Sequence, residues 1–237
     1  MQRLKPMTLS PETESLAERY ARLSREGADR RGIDAVLRSL DILISATVLI
    51  VALPILVIVT IVFLAPSGTP LFYRGLRVGR YGRVFHMFKY RTLKRDAESR
   101  LGPYYGQELS IRTEAEVTRL GRWLRASQLD EIPQLWNVLR GDMSIVGPRP
   151  IRPTFFEELA EEIPQYWQRL VVRPGLTGLA QTRMGREESW AEKLSHDLEY
   201  IADRSVGLYL RVVVATTWRV VKQSAAAVWG LLRGGRH

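Results

Sequence analysis

The longest apolar run in the chain extends from Ile42 to Ala65, and none of its 24 residues is charged. As a helix this run would measure roughly 36 Å at about 1.5 Å per residue, enough to cross the hydrocarbon core of a bilayer. It begins too far into the chain, and is too long, to be a cleaved signal peptide. The pattern therefore predicts a membrane segment, with a buried core helix as the alternative.

The residues around this run indicate how it meets the membrane. Arginines flank it on both sides, namely Arg22, Arg25, Arg30, Arg31 and Arg38 before it and Arg74, Arg77, Arg80 and Arg83 after it. Because basic flanks favour the cytoplasmic side, both ends are expected there. Pro54 lacks an N–H donor and should bend the helix near its middle. We expect a re-entrant hairpin with Asp41 at headgroup level; a kinked spanning helix is the alternative.

The rest of the pattern divides the chain into four parts. They are a polar N-terminal extension with a short surface helix (1–36), the membrane re-entrant helix (37–66), a cytosolic domain (67–210) and a C-terminal interfacial helix (211–237). The last part mixes apolar runs with arginines and two tryptophans, as amphipathic helices at membrane interfaces do. The predicted class is α+β and mostly helical: a membrane-inserted re-entrant helical hairpin and a cytosolic domain that lies on the membrane with interfacial amphipathic helices.

The amino-acid composition limits the kinds of functional site and partner that the chain can have. The chain has no cysteine, which excludes disulfides, cysteine-based zinc sites, iron–sulfur clusters and a thiol nucleophile. With only three histidines, any metal is expected on carboxylates. Thirty-five Lys and Arg against 25 Asp and Glu give a net charge of +10. This surplus favours a polyanionic partner, which could be nucleic acid, an anionic membrane surface or a phosphorylated substrate.

A basic strand is predicted soon after the membrane segment, in the run FHMFKYRTL. Alternation along a strand would place Lys89 and Arg91 on the same face. Such a face could hold phosphate oxygens or could face anionic lipids.

Two adjacent carboxylates, Asp130 and Glu131, precede Pro133 in the run LDEIPQLWNVLRG. Proline is tolerated in a first helical turn, so a helix is predicted from about Asp130 to a stop at Gly141. The free N–H groups and the dipole at a helix N-terminus stabilise anions. A carboxylate held there can attack phosphorus or bind a divalent cation; ordinary helix capping is the alternative.

Arg149 lies between two prolines in the run GPRP, so its backbone has little freedom. An arginine presented in this way is suited to bidentate phosphate binding. A structural ion pair with Asp142 is the competing interpretation. The turn at Arg173 repeats the Arg-Pro arrangement and is followed by glycine.

Taken together, these motifs resemble those of the bacterial sugar transferase family, the monotopic phosphoglycosyl transferases. The resemblance covers Arg38 to Val221 and rests on the runs DILIS, FYRGLRVGRYGRVFHMFKYRTL, TRLGRWLR, LDEIPQLWNVLRGDMSIVGPRP, VRPGLTGLAQ and SWAEKLSHDLEYI. The chain departs from the family where Leu53, instead of the common serine, precedes Pro54, and where an acidic residue is missing near Tyr209. We expect it to group with the small, single-domain members.

The resemblance implies an enzyme that moves a sugar 1-phosphate from a UDP-sugar to polyprenyl (undecaprenyl) phosphate and releases UMP. Such a reaction initiates exopolysaccharide, capsule or O-antigen synthesis at the bacterial inner membrane, with the catalytic domain facing the cytoplasm. It also implies partners: membrane lipids but no nucleic acid, with a second copy of the chain and downstream glycosyltransferases as protein candidates. The sugar is not implied, and the stretches 100–116 and 181–190 are where its contacts are expected.

The resemblance further assigns roles to residues. Asp130 aligns with the nucleophile that forms an aspartyl-phosphosugar intermediate, and Glu131 aligns with its acidic partner. Both are expected to contact Mg²⁺. The substrate-binding candidates are Lys89, Arg91, Arg125, Arg149 and Arg173. A catalytically silent scaffold is the first alternative, against which the intact Asp130–Glu131 pair argues, and a membrane-tethered nucleic-acid binder is the second, for which no motif is found.

Overall fold

A computed structural model describes residues 30–67, 70–97, 100, 106–184 and 189–234. The helices are, in chain order, α1 (Arg31–Ser67), α2 (Gly106–Ala115), α3 (Arg119–Ala126), α4 (Gln134–Arg140), α5 (Pro153–Glu162), α6 (Leu179–Arg183), α7 (Trp190–Asp203) and α8 (Val206–Gly234). The strands are β1 (Phe72–Val78), β2 (Val84–Tyr90), β3 (Ser144–Val146) and β4 (Gly175–Thr177). Short 3₁₀ turns cover Arg80–Gly82, Leu129–Glu131 and Tyr166–Val171. The mostly helical α+β class is as predicted; the surface helix predicted within 1–36 lies outside the described residues.

The strands form two separate pairs. β1 and β2 make an antiparallel hairpin, in register from Phe72 opposite Tyr90 to Val78 opposite Val84. β3 and β4 pair in parallel. The strand predicted in FHMFKYRTL is confirmed as far as Tyr90, and it ends one residue before Arg91.

Helix α1 is one continuous helix of 37 residues and contains the predicted membrane segment. Its stretch Gly32–Ile61 is long and apolar enough to cross a membrane, and little of that stretch is buried within the chain. Large side chains such as Ile50 and Val51 are 72% and 70% exposed. A core helix of a soluble protein would be mostly buried, so that alternative does not fit. Residues 31–67 form a single helix, so the structure does not confirm a hairpin bent at Pro54. The hairpin stays a prediction.

Both halves of α1 nevertheless contact the rest of the chain. In the first half, Leu37 belongs to the main core cluster. In the second half, Val59 packs with Tyr90 and Leu124. The hydroxyl of Tyr90 lies 3.2 Å from Thr60 Oγ1 and also donates to the carbonyl of Leu56 at 3.3 Å. The domain therefore meets α1 at two places that are roughly 33 Å apart along the helix.

Asp41 ties α1 into the core. It is 2% exposed, although the sequence suggested a position at headgroup level. Its Oδ1 accepts hydrogen bonds from Ser144 Oγ, Ile145 N and Tyr209 OH, each at 2.9 Å. One carboxylate oxygen thus joins α1 to β3 and α8.

Helix α4 is held by a fully buried side chain, Asn137. Its Oδ1 accepts from the N–H of Phe88 at 3.0 Å, and its Nδ2 donates to the carbonyl of His86 at 2.7 Å. From α1, Arg38 donates to the carbonyls of Val138 and Leu139 at 2.6 and 2.9 Å. These bonds fix α4 against β2 and α1.

Replacing Asn137 with alanine should destabilise the protein by roughly 2–4 kcal/mol, because Phe88 N–H and His86 C=O lose their buried partner. Thermal unfolding of the detergent-solubilised protein, followed by circular dichroism, measures the effect. Arg140→Ala, an exposed change on the same helix, is the control and should alter stability by at most about 0.5 kcal/mol. Equal midpoints for the two variants would contradict this account.

Candidate active site

Asp130 and Glu131 lie in a 3₁₀ turn that leads into α4. Gln128 precedes the turn with a left-handed φ of 56°, and α4 then starts at Gln134, immediately after Pro133. The helix ends at Gly141, whose φ of 88° is the left-handed cap expected of glycine. The predicted helix is confirmed, except that its first turn is 3₁₀ and not α.

The carboxylate of Asp130 is poorly solvated, since the residue is only 7% exposed. Burial, and then the negative charge of Glu131, raise its pKa from 3.8 to about 6. The positive charges of Lys89 and Arg125 act in the opposite direction. Asp130 is therefore an anion that its surroundings stabilise only in part.

Glu131 is in a different situation, because it has direct cationic and polar partners. Lys89 Nζ lies 2.5 Å from its Oε1. Burial acts to raise the pKa of Glu131, but the charges of Lys89 and Arg149, the hydrogen bond from Lys89 and the side chain of Gln134 outweigh it and lower that pKa. The two adjacent carboxyl groups are thus pushed in opposite directions, a pattern typical of paired catalytic acids.

Three of the predicted basic residues lie around this pair. Lys89 binds Glu131 directly, and the charge of Arg149 also acts on that carboxylate. The charge of Arg125 acts on Asp130, while its Nε donates to Thr92 Oγ1 at 2.9 Å. These cations could hold the phosphate oxygens of a substrate whose phosphorus approaches Asp130.

Arg91 is the first predicted residue that is not brought to the pair. It lies beyond the end of β2, where its N–H donates to the carbonyl of Leu71. Burial lowers the pKa of its guanidinium, followed by the positive charge of Arg95, with Asp96 opposing. The charges of Arg95 and Asp96 both lie in the segment after β2.

Arg173 is the second such residue. Its Nε donates to the carbonyl of Gly141 at 3.0 Å, at the opposite end of α4 from Asp130.

The alternative proposed for Arg149, an ion pair with Asp142, is wrong: Asp142 pairs with Arg140 at 3.5 Å and accepts from Asn137.

Gln134, which is 3% exposed and whose side chain lowers the pKa of Glu131, was not among the residues predicted from the sequence. Its position three residues after Glu131, one helical turn on, was an available signal. Arg169 and Asp197, a buried ion pair that contacts the backbone of Arg149, were not predicted either. Because 28 residues separate these two, no local pattern could reveal them.

Mg²⁺ at the carboxylate pair stays a prediction. Among the described residues, no group of three or more acidic or histidine side chains could hold a metal. Two adjacent carboxylates, one of them short of positive partners, match the usual mode in which one or two carboxylates and substrate phosphates share the ion. Asp130 and Glu131 would be its protein ligands.

Comparison with known proteins decides the family. The profile described as bacterial sugar transferase matches residues 33–223. The chain belongs to the bacterial sugar transferase family. The resemblance to this family that the single motifs indicated is therefore confirmed over most of the chain.

Named relatives within this family act on different sugars. A UDP-glucose:undecaprenyl-phosphate glucose-1-phosphate transferase from Caulobacter vibrioides is 36% identical over 216 residues, which cover 89% of this chain and 78% of that protein. A protein of the same name from Xanthomonas campestris pv. campestris is 35% identical over 212 residues, 86% of this chain and 43% of that protein. A UDP-N-acetylgalactosamine-undecaprenyl-phosphate N-acetylgalactosaminephosphotransferase from Aeromonas hydrophila is 34% identical over 182 residues, 76% of this chain and 42% of that protein. The chain thus spans less than half of the latter two relatives.

The raised pKa of Asp130 predicts a pH-dependent stability difference. Above about pH 6 this buried carboxyl group is ionised in the folded protein, which lowers the free energy of unfolding. Below about pH 4 it is protonated in the folded and the unfolded state, and this effect disappears. Asp130→Asn removes that requirement, so in EDTA the variant should be more stable than wild type by roughly 1–3 kcal/mol at pH 7–8. The difference should shrink as the pH falls towards 4.

Thermal unfolding midpoints across this pH range provide the measurement. Asp203→Asn, an exposed change, is the matched control and should follow wild type throughout. A constant offset between Asp130→Asn and wild type at all pH values would assign the effect to something other than ionisation.

Proposed function

We propose that this chain transfers a sugar 1-phosphate from a UDP-sugar to undecaprenyl phosphate, releasing UMP. The observation that carries the proposal is the buried, incompletely neutralised carboxylate of Asp130, flanked by Lys89, Arg125 and Arg149. Relatives that carry this activity in their names cover most of the chain, which supports the same reaction here.

In the first step, an oxygen of Asp130 attacks the phosphorus that bears the sugar. The bond between that phosphorus and the bridging oxygen breaks, and UMP leaves with the electron pair. The product is a mixed anhydride, an aspartyl-phosphosugar, so the difficult transfer is divided into two displacements. Burial of Asp130 favours this attack, because a carboxylate with little solvation has less to lose on forming a bond.

In the second step, a phosphate oxygen of undecaprenyl phosphate attacks the same phosphorus, and Asp130 leaves as a carboxylate. Lys89, Arg125 and Arg149 hold the phosphate oxygens through both displacements, where negative charge accumulates. Glu131 keeps Lys89 in place by its 2.5 Å contact. Bound at Asp130 and Glu131, Mg²⁺ would neutralise charge on the diphosphate.

The apolar surface supports an orientation at the membrane. The outward side of α1 would lie in lipid, and α8 carries an exposed apolar stripe in helical spacing, at Leu210, Val214, Trp218 and Val221. The contacts of Val59 and Thr60 with the domain favour a re-entrant α1 over a spanning one. We place the catalytic domain on the cytoplasmic face of the bacterial inner membrane, where the reaction would begin exopolysaccharide, capsule or O-antigen synthesis.

The enzyme activity is tested with purified protein in detergent, Mg²⁺, undecaprenyl phosphate and a panel of UDP-glucose, UDP-galactose and their N-acetylated forms. Wild type should release UMP from one donor. Asp130→Asn should lose about a thousandfold or more, because an amide is a poor nucleophile. Without lipid, the intact mass of wild type, but not of Asp130→Asn, should increase by one sugar phosphate.

Asp203→Asn serves as the control for a harmless carboxylate change. If Asp130→Asn released UMP at the rate of wild type, Asp130 would not be the nucleophile. If wild type released no UMP with any donor, the proposed reaction would be wrong for this panel.

The membrane orientation is tested by cysteine labelling, since the chain has no cysteine of its own. Single cysteines at Ser39 and Pro70, both exposed, lie at the two ends of the membrane segment. An impermeant maleimide added to intact cells should label neither, because both ends would be cytoplasmic. Permeabilised cells should give labelling at both, and labelling of one site in intact cells would indicate a spanning helix.

A further inference from the structure

The loop that carries Arg149 is fixed by its carbonyl groups. Its two prolines, Pro148 and Pro150, have no N–H to donate, so the loop cannot be anchored through those positions. Instead the carbonyl of Pro148 accepts from Gly175 N at 2.9 Å, and the carbonyl of Arg149 accepts from Arg169 Nη2, also at 2.9 Å. The second bond comes from a side chain and ends on Arg149, whose positive charge acts on Glu131.

Arg169 belongs to a fully buried polar cluster. Arg169 and Asp197 are each 4% exposed. The guanidinium donates to Asp197 Oδ2 through Nε at 3.0 Å and to Tyr166 OH through Nη1 at 2.7 Å, and its Nη2 lies 2.7 Å from the same Asp197 oxygen. Its Nη2 donates to the carbonyl of Arg149 at 2.9 Å. The planar fork thus joins α7 and the Tyr166–Val171 turn to the arginine loop in one rigid unit.

We propose that Arg169 and Asp197 are positioning residues of the transfer reaction, which set the geometry of Arg149 by holding its carbonyl. This inference rests on the proposed function, in which Arg149 binds substrate phosphate. Asp197 fixes the rotation of the Arg169 guanidinium through the hydrogen bond from Nε and the close ion pair with Nη2. Arg169 then fixes the main chain of Arg149, and the flanking prolines pass that constraint to the side chain.

Stability alone gives a weak reason for this pair. Burying two charges is expensive, and well-packed apolar residues of similar volume often replace a buried ion pair without loss of stability. An apolar pair could fill the same space in the core, but it could not donate to the carbonyl of Arg149. An experiment can therefore distinguish a role in core stability from a role in positioning Arg149.

The test is a double-mutant cycle on UMP release with the active UDP-sugar. Arg169→Lys keeps the charge but loses the fork that reaches Asp197, Tyr166 and Arg149 together. It should lower kcat/KM for the UDP-sugar about ten- to a hundredfold, as a small misplacement of a binding group does. In an Arg149→Ala background the same change should cost less than about twofold, because the group it positions is gone.

Arg204→Lys is the matched control. Arg204 also joins a carboxylate, Asp34, to a backbone carbonyl, that of Ile201, but at the other end of α7. It should leave kcat/KM within about twofold. A thermal unfolding midpoint for each variant distinguishes a loss of the fold from a loss of the position of Arg149.

Arg169→Met combined with Asp197→Leu removes both charges and the bond to Arg149. This double variant replaces Arg169→Lys in the double-mutant cycle with Arg149→Ala if Arg169→Lys does not fold. Equal losses from the Arg169 change in the presence and absence of Arg149 would overturn the positioning role. So would failure of both Arg169 variants to fold, which would assign the pair to core stability alone. Activity in wild type with none in Asp130→Asn shows independently that the proposed function stands.

Discussion

The candidate site depends on how a helix of seven residues is held in place. A helix as short as α4 is not stable alone, so its position must come from its neighbours. Asn137 fastens it to the backbone of β2, and Arg38 and Arg173 occupy carbonyls at its C-terminal end. Because hydrogen bonds are directional, these contacts fix both its rotation and its axial position. The Asp130–Glu131 turn at the other end is placed as a consequence.

The electrostatics of the turn follow from that placement. Two neighbouring carboxylates enter a poorly solvated region, where their mutual repulsion is strong. The lysine of β2 reaches Glu131, so the repulsion is relieved on one side, and Asp130 keeps a raised pKa. Glu131 is thus held in an ion pair, whereas Asp130 is an anion with less compensation from neighbouring charges. An apolar residue at position 130 would serve the fold better, so the burial of this aspartate indicates function.

Local signals in the sequence predicted the parts of the site that local geometry controls. Pro133 and Gly141 mark the ends of α4, and alternation marks β2. Local signals do not extend to the places where distant chain segments meet. Arg91 follows the alternation of Lys89, but the strand ends between them and the period-two rule no longer applies. Arg173 repeats the Arg-Pro motif of Arg149 yet meets the far end of α4, a difference that only the parallel pairing of β3 and β4 creates.

The membrane segment is a part of the core as well as an anchor. Arg38 and Asp41 lie three residues apart on one face of α1; the first binds α4, and the second accepts bonds from β3 and α8. Apolar side chains such as Ile50 cover the opposite, exposed side. The distance between the site and the lipid surface is therefore set by side-chain bonds and not by a flexible linker. Without α1, the buried hydroxyl of Tyr209 and the N–H of Ile145 would lose their shared acceptor, so the domain would lose an apolar outer surface and also part of its core.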